Sequence, residues 1–308
     1  MSFENIGILF KEYFLSLISP EWNWDLIGLN VILVTMFLFL FKYKIGWLSG
    51  VSVRDEIAEK DNPAFGIALG SLFLGFLIIM SAATTGDDIV SYKKEILLMT
   101  AYGFSGMIML TLSKLLFDKI SLLNFEMPDE LRKRNVSAAI IDGSNVIATA
   151  LIIFAYMGWV KGTSLTTVLV VAYGWLISQI ILTVFNKIKE SIFKSSIHTN
   201  FIEAIKADNK AVAIRYSFYK ISVAIAPLVA VSHYKFNETI AYWQATEIFL
   251  TTILLSTIYL TLPSILKKMI IPNVDFRDEI NNQKNIGLAF IEGSIVLGLA
   301  ILSYGLLK

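Results

Sequence analysis

A nine-residue pattern beginning with Asn recurs four times along this chain, each time where a long apolar segment starts. The copies are Asn62-Pro63-Ala64-Phe65-Gly66-Ile67-Ala68-Leu69-Gly70, Asn135-Val136-Ser137-Ala138-Ala139-Ile140-Ile141-Asp142-Gly143, Asn209-Lys210-Ala211-Val212-Ala213-Ile214-Arg215-Tyr216-Ser217 and Asn285-Ile286-Gly287-Leu288-Ala289-Phe290-Ile291-Glu292-Gly293. The Asn residues are separated by 135 − 62 = 73, 209 − 135 = 74 and 285 − 209 = 76 residues. Self-similarity at a near-constant period means one structural unit used repeatedly. Motif positions are counted from the Asn as position 1.

The segments between the motifs say what the unit is. Mean hydropathy is +0.66, and apolar residues concentrate in eight runs of roughly 18–25 residues, the length that crosses ~30 Å of hydrocarbon as a helix. The runs are Trp24–Phe41, Pro63–Thr84, Ile96–Leu116, Val136–Val160, Leu165–Phe185, Ala211–Val231, Ile240–Leu262 and Ile286–Leu306. They are continuous, without the period-two alternation of barrel strands, so the expected fold is an all-α membrane protein of eight transmembrane helices. Each repeat is then a helical hairpin: a plain helix, a charged link, and a motif-bearing helix. The even helices are expected to form the inner packed set, with Gly66-x-x-x-Gly70 as a small-xxx-small contact. Residues 24–161 and 162–308 make two four-helix units, which run parallel because each crosses the membrane an even number of times.

Cations set the expected orientation. The odd-to-even links and their flanks carry 18 Lys and Arg residues, counted from Lys42 through Lys284, against 6 on the opposite side: Lys11, Lys93, Lys94, Lys161, Lys235 and Lys308. The positive-inside rule puts the links in the cytoplasm and both termini outside. Residues 1–23, with Phe3, Ile6, Phe10, Phe14, Leu17 and Ile18 at helical spacing, read either as a helix in the outer interface or as a simple extension. Glu4, Lys11 and Glu12 interrupt that stretch, so it is not expected to be a cleavable signal.

The links repeat too. Arg54-Asp55-Glu56-Ile57 recurs as Arg277-Asp278-Glu279-Ile280, and Glu130 and Glu203 stand at corresponding places. Each Glu precedes its Asn by five or six residues, which reads as helix-start chemistry: an Asn N-cap with acids near the positive end of the helix dipole. A docking surface for a cytoplasmic protein is the other reading.

With these residues in hand, the chain resembles the YjfL-type family of bacterial inner-membrane proteins, a domain of unknown function. Asn62 with Ala64, Asn135 with Ala138 and Ala139, Asn209 with Ala211, and Asn285 with Ala289 carry the likeness, as two tandem four-helix units from about Trp24 onward. The resemblance implies an inner-membrane location and a link to envelope stress. It implies no activity and no catalytic residues.

Ionisable residues inside the apolar runs are the candidate site. Motif position 8 reads Leu69, Asp142, Tyr216 and Glu292, so both carboxylates lie roughly 10 Å along their helices from the capping Asn. Arg215 stands at similar depth, Lys220 one turn beyond Tyr216, and Glu247 with Gln244 on the seventh helix. Unpaired charge in hydrocarbon costs several kcal/mol, so these groups should face the interior and one another. Two cations against three carboxylates leave one acid over. The residues leave open a purely structural ion-pair network, a path for protons or small ions, and a scaffold that binds a cytoplasmic partner. Self-association is also open.

Other chemistry is not indicated. With no cysteine, disulfides and thiolate metal sites are excluded. His198 and His233 fall in loops on opposite sides, no catalytic or phosphate-cradling motif occurs, and the basic links are explained by topology rather than nucleic acid. The chain is expected to be no enzyme, with no cofactor and no metal. Orientation is directly testable. Single cysteines at Ser2, Ser91, Ser195 and Asn281 should be reached by an impermeant reagent outside intact cells only at Ser2 and Ser91. Labelling of Ser195 and Asn281 instead would invert the topology.

Overall fold

A computed structural model describes residues 24–49, 52–83, 91–121, 125–160, 164–194 and 201–307. The segment 1–23 and His198 lie outside the described residues. Regular structure among the described residues is entirely helical, and eight helices are long and apolar enough to cross a membrane. They are α1 (Trp24–Ser49), α2 (Pro63–Ala83), α3 (Tyr92–Leu116), α4 (Val136–Trp159), α5 (Leu165–Lys194), α6 (Lys210–Ser232), α7 (Ala241–Ile270) and α8 (Ile286–Leu307). Short helical turns at Asp55–Glu59, Met127–Arg132, Phe201–Lys206 and Phe276–Asn281 precede the four motifs.

The odd helices run further than their apolar stretches. α1 continues eight residues past Phe41, α5 nine past Phe185 and α7 eight past Leu262. Lys44, Lys114, Lys187, Lys189 and Lys267, which the charge pattern assigns to the links and their flanks, are therefore helical. Hydropathy falls where the lysines begin, but helix propensity does not, since Lys is a good helix former with an apolar stem.

Helices α2, α4, α6 and α8 form a row in which each packs chiefly on the next. The odd helices bridge this row: α3 lies on α2 and α4, α5 on α4 and α6, α7 on α6 and α8. Close approach along the row needs small residues. A Cβ on Gly143 would collide with Ser71 Oγ, and one on Gly75 would sit 2.9 Å from Val146 Cγ1. Gly66 and Gly70 behave otherwise. A Cβ at either meets nothing within 4 Å among the described residues, so the contact expected of this pair is not made among them. Gly66 and Gly70 lie on the face of α2 that turns away from α4.

The four motif Asn residues gather at one side of the bundle, here called the Asn face. Immediately before each stands a residue in the left-handed region: Asp61 (φ 48°), Arg134 (φ 62°), Asp208 (φ 50°) and Lys284 (φ 56°). Such a conformation costs on the order of 1–3 kcal/mol for a side chain with a Cβ, and the Asn that follows offsets it with several bonds. Its Oδ1 accepts the N–H three residues on: Phe65 at 3.2 Å, Ala138 at 2.9 Å, Val212 at 3.2 Å and Leu288 at 3.0 Å. In three copies Nδ2 donates to the preceding Glu: Asn62 to Glu56 at 2.9 Å, Asn135 to Glu130 at 2.8 Å and Asn285 to Glu279 at 3.0 Å. The acids thus hold the capping side chain rather than merely meeting the helix dipole. Bonds from Lys60 and Asn62 keep the Glu56 carboxyl below the usual carboxylate range.

Nδ2 also reaches the next hairpin. Asn62 donates to the Leu131 carbonyl at 2.9 Å, Asn135 to Ile205 at 2.8 Å and Asn209 to Asn281 at 3.0 Å. Each acceptor stands four residues before the following Asn, so one side chain caps its own helix and clamps its neighbour's link. Those three Asn residues are buried, whereas Asn285 is exposed and makes no such cross-hairpin bond among the described residues. Asn135→Ala removes a cap worth about 1 kcal/mol and a buried bond of about 1 kcal/mol, and strips a partner from Glu130. Asn285→Ala removes less. In thermal unfolding of the detergent-solubilised protein, Asn135→Ala should therefore lower Tm clearly more than Asn285→Ala does; equal losses would refute the clamp.

Candidate intramembrane ion site

Asp142 projects from α4 two turns beyond its cap and is 1 % exposed. Its Oδ2 lies 2.6 Å from Lys114 Nζ at the end of α3. Its Oδ1 is buried with no hydrogen-bond partner among the described residues. Glu292, at the same motif position on α8, is fully buried and far better served. Lys267 of α7 stands 2.8 Å from its Oε1, and the Tyr219 hydroxyl donates to the same oxygen at 2.8 Å. The Arg215 guanidinium spans the carboxylate, with Nη2 donating to Oε1 at 3.0 Å and Nε in ion-pair contact with Oε2 at 3.0 Å, although Oε2 accepts no aligned hydrogen bond among the described residues.

Both acids are met by a lysine from the preceding odd helix, and the difference between them comes from the preceding motif. Positions 7 and 11 of the third motif are Arg215 and Tyr219, and these fill the space beside Glu292. The same positions of the first motif are Ala68 and Leu72. There a cavity of ≈ 200 Å³ opens, lined by Ala68, Leu69, Leu72, Lys44, Lys114 and Asp142 among others. Lys44 faces it while donating to Thr111 Oγ1.

The expected single cluster is thus two clusters. Arg215 pairs with Glu292, no ion pair joins it to Asp142 among the described residues, and α6 stands between α4 and α8. Asp142 and Glu292 each have a cation, because Lys114 and Lys267 enter the count; the acid without one among the described residues is Glu95 of α3, fully buried with neither carboxylate oxygen hydrogen-bonded. The two lysines are legible only faintly in the sequence: each sits at the end of an apolar run, 28 and 25 residues before its acid, and a lysine stem reaches back into the bundle from there. Glu247 leaves the network altogether. It is half-buried and accepts from Trp243 Nε1 at 2.9 Å. Gln244 instead ties the α6–α7 loop, accepting from Asn237 N–H at 3.0 Å and donating to the Lys235 carbonyl at 2.9 Å. Distance along a helix gives depth, but which way a side chain faces depends on the neighbours.

Lys220 is fully buried on α6 and has no carboxylate at ion-pair distance among the described residues. Its ammonium lies 3.8 Å from the centre of the Phe117 ring and donates to the Tyr216 hydroxyl at 3.3 Å. Tyr216 in turn donates to Asn186 Oδ1. Lys189 lies 3.3 Å from the centre of the Tyr219 ring. Aromatic faces thus take the place of carboxylates around both lysines.

Beyond Asp142 a polar stripe continues across α4. Asn145, Thr149 and Tyr156 follow at steps of three, seven and fourteen residues, all buried, over roughly 21 Å of helix. Ser178 of α5 donates to the Tyr156 hydroxyl at 3.5 Å. Thr149 Oγ1 and Gln179 Nε2 are buried without partners among the described residues. No group of three or more His, Asp or Glu able to hold a metal occurs among the described residues.

Two stretches of the chain match one family model. Residues 22–157 and 163–307 each match the family described as Domain of Unknown Function (DUF350). The chain belongs to this family. It is also similar to the UPF0719 transmembrane protein of Aquifex aeolicus (strain VF5), 25 % identical over 206 residues that cover 65 % of this chain and 75 % of the relative. No solved structure matches it. Asp142 falls in the first matched segment, while Glu292 and its partners Arg215, Tyr219 and Lys267 all fall in the second.

Separate clusters make a definite expectation. Arg215→Leu strips one cation from Glu292 but leaves Lys267 and Tyr219, so it should cost less than the roughly 3–5 kcal/mol of a fully broken buried pair. Adding Glu292→Gln should recover part of that loss, whereas adding Asp142→Asn should give simple additivity. Thermal melts of the two double variants check this; coupling of Arg215 to Asp142 would reunite the clusters.

Proposed function

We propose that this membrane protein carries protons or small cations, with Asp142 as the ion-binding carboxylate and the links facing the cytoplasm of the bacterial inner membrane. The observation that carries the reading is the buried, unpartnered Oδ1 of Asp142 beside a cavity whose counterpart, next to Glu292, is filled by Arg215. A buried acceptor left unbonded costs about 1–3 kcal/mol, and a proton or cation at Oδ1 removes that cost. The second half holds its cation covalently, as a guanidinium that cannot leave. The first half has room for one that can.

Lys114 completes the device. Its side chain lines the cavity beside Asp142, where it competes with an arriving cation for the carboxylate. From Asp142 the stripe of Asn145, Thr149 and Tyr156 supplies hydroxyl and amide groups toward the far side.

Purified protein in vesicles should show proton or monovalent-cation flux, and Asp142→Asn should reduce it at least tenfold. Ala68→Arg places in the first half the guanidinium that the second half already has. It should abolish flux while leaving thermal stability equal or higher, which separates a blocked path from a broken fold. No flux from the parent protein, or full flux from Ala68→Arg, would overturn the proposal. The absence of any flux would leave the intramembrane charges structural and favour a scaffold or envelope-stress role with a cytoplasmic partner.

A further inference from the structure

The row of even helices has two unlike ends, and each end carries one half of an interface that the chain makes three times internally. The half that looks toward the next hairpin includes motif position 3. Ala64, Ser137 and Ala211 are all fully buried there, and Gly287 in the last motif is exposed. The half that looks back includes positions 5 and 9. Ala139, Ala213 and Ala289 are fully buried at position 5, whereas Gly66 of the first motif is half-exposed. Gly143, Ser217 and Gly293 are buried at position 9, whereas Gly70 is exposed.

The contacts show what position 9 meets. A Cβ on Gly143 would collide with Ser71, and one on Gly293 would strike Phe218 at 2.5 Å. Ser71 and Phe218 are position 10 of the preceding motif, so at two of the three internal interfaces position 9 of one helix packs on position 10 of the helix before it, while at the third Ser217 Oγ donates to the Ile140 carbonyl at 3.2 Å. At the open ends, a Cβ on Gly70 would meet nothing within 4 Å among the described residues, and Ser294, position 10 of the last motif, is exposed.

The polar half of the interface is open in the same sense. Three Asn residues donate across to the carbonyl four residues before the next Asn. Asn285 makes no such bond among the described residues, and the acceptor at the corresponding place in the first hairpin is the Ala58 carbonyl. Helix α1 fits this pattern as well. Every other odd helix bridges its own even helix and the preceding one, and 33–44 % of each such span is buried, against 11 % for α1. Among the described residues no even helix precedes it.

We propose that a second copy of this chain completes the row. α8 of one copy packs on α1 and α2 of the next, with Ser294 on Gly70 and Asn285 donating to the Ala58 carbonyl. The interface is heterologous, and all copies keep one orientation in the bilayer, so the row closes into a ring or extends in the membrane plane. The Gly66-x-x-x-Gly70 pair, which meets no neighbour among the described residues, becomes the contact surface of the assembly.

The absence of native cysteine makes the test clean. Gly70→Cys adds atoms only to open space and Ser294→Cys alters an exposed residue, so both variants should fold as the parent does. Membranes in which the two single variants are co-expressed should give disulfide-linked dimers on mild oxidation, at least fivefold above either variant alone. The Gly70→Cys/Ser294→Cys double variant should give a ladder of higher multimers. A bulky block, Gly70→Trp, should shift the purified protein in lipid nanodiscs from multimer to monomer by mass, with its melting temperature within a few degrees of the parent's in detergent. Cross-linking no stronger in the mixture than in the single variants, or a parent protein that is monomeric in nanodiscs, would overturn the proposal.

Discussion

Everything in this bundle hangs on how one small amide side chain is used at the start of each even helix. A helix that begins at a membrane interface has four orphan N–H groups, and the turn that feeds it here uses a left-handed residue that is costly with a Cβ. Asn answers both needs, because its oxygen caps the helix while its nitrogen still has two hydrogens to give. One goes to a Glu of the same hairpin and the other to a carbonyl of the next. Ser, Thr or Asp could cap, but none has the two donors left over. The residue type therefore encodes both where each helix starts and which element lies beside it.

Small residues extend that constraint into the membrane. Apolar burial gives no net attraction between helices in lipid, so contact rests on backbone approach and on polar bonds. Gly143 against Ser71 and Gly293 against Phe218 achieve the approach, and the Asn clamps anchor the register at one end. With the row held at this spacing, motif position 8 falls at one depth in every helix. Asp142 and Glu292 are brought within reach of lysines whose stems bend back from the Asn face. The two acids then differ by what the previous motif supplies. Arg215 fills the space beside one, and Ala68 leaves it open beside the other.

Much of this is legible in the chain alone. The period of the Asn motif, the eight apolar runs and the paired acids at position 8 can be read directly, because each is a local pattern with a local cause. Helix ends are less legible, since hydropathy marks where lipid ends and not where hydrogen bonding ends; hence the lysines at the ends of α1, α3, α5 and α7 read as parts of the links. The charge network is least legible. Glu247 has the same apparent depth as a network member but faces Trp243, and Lys220 spends its burial against Phe117 and Tyr216 rather than an acid.

What the sequence by itself determined is the set of requirements: eight helices of spanning length, four capped starts, and ionisable groups that had to be compensated because hydrocarbon solvates no charge. Only the tertiary structure decided who compensates whom. Azimuth around a helix is set by its neighbours, and those neighbours are chosen by contacts some 70 residues apart, such as Asn62 with Leu131. Arg215 and Ala68 occupy equivalent places in the chain, yet a bound guanidinium and a cavity become visible only once α2 lies against α4 and α6 against α8.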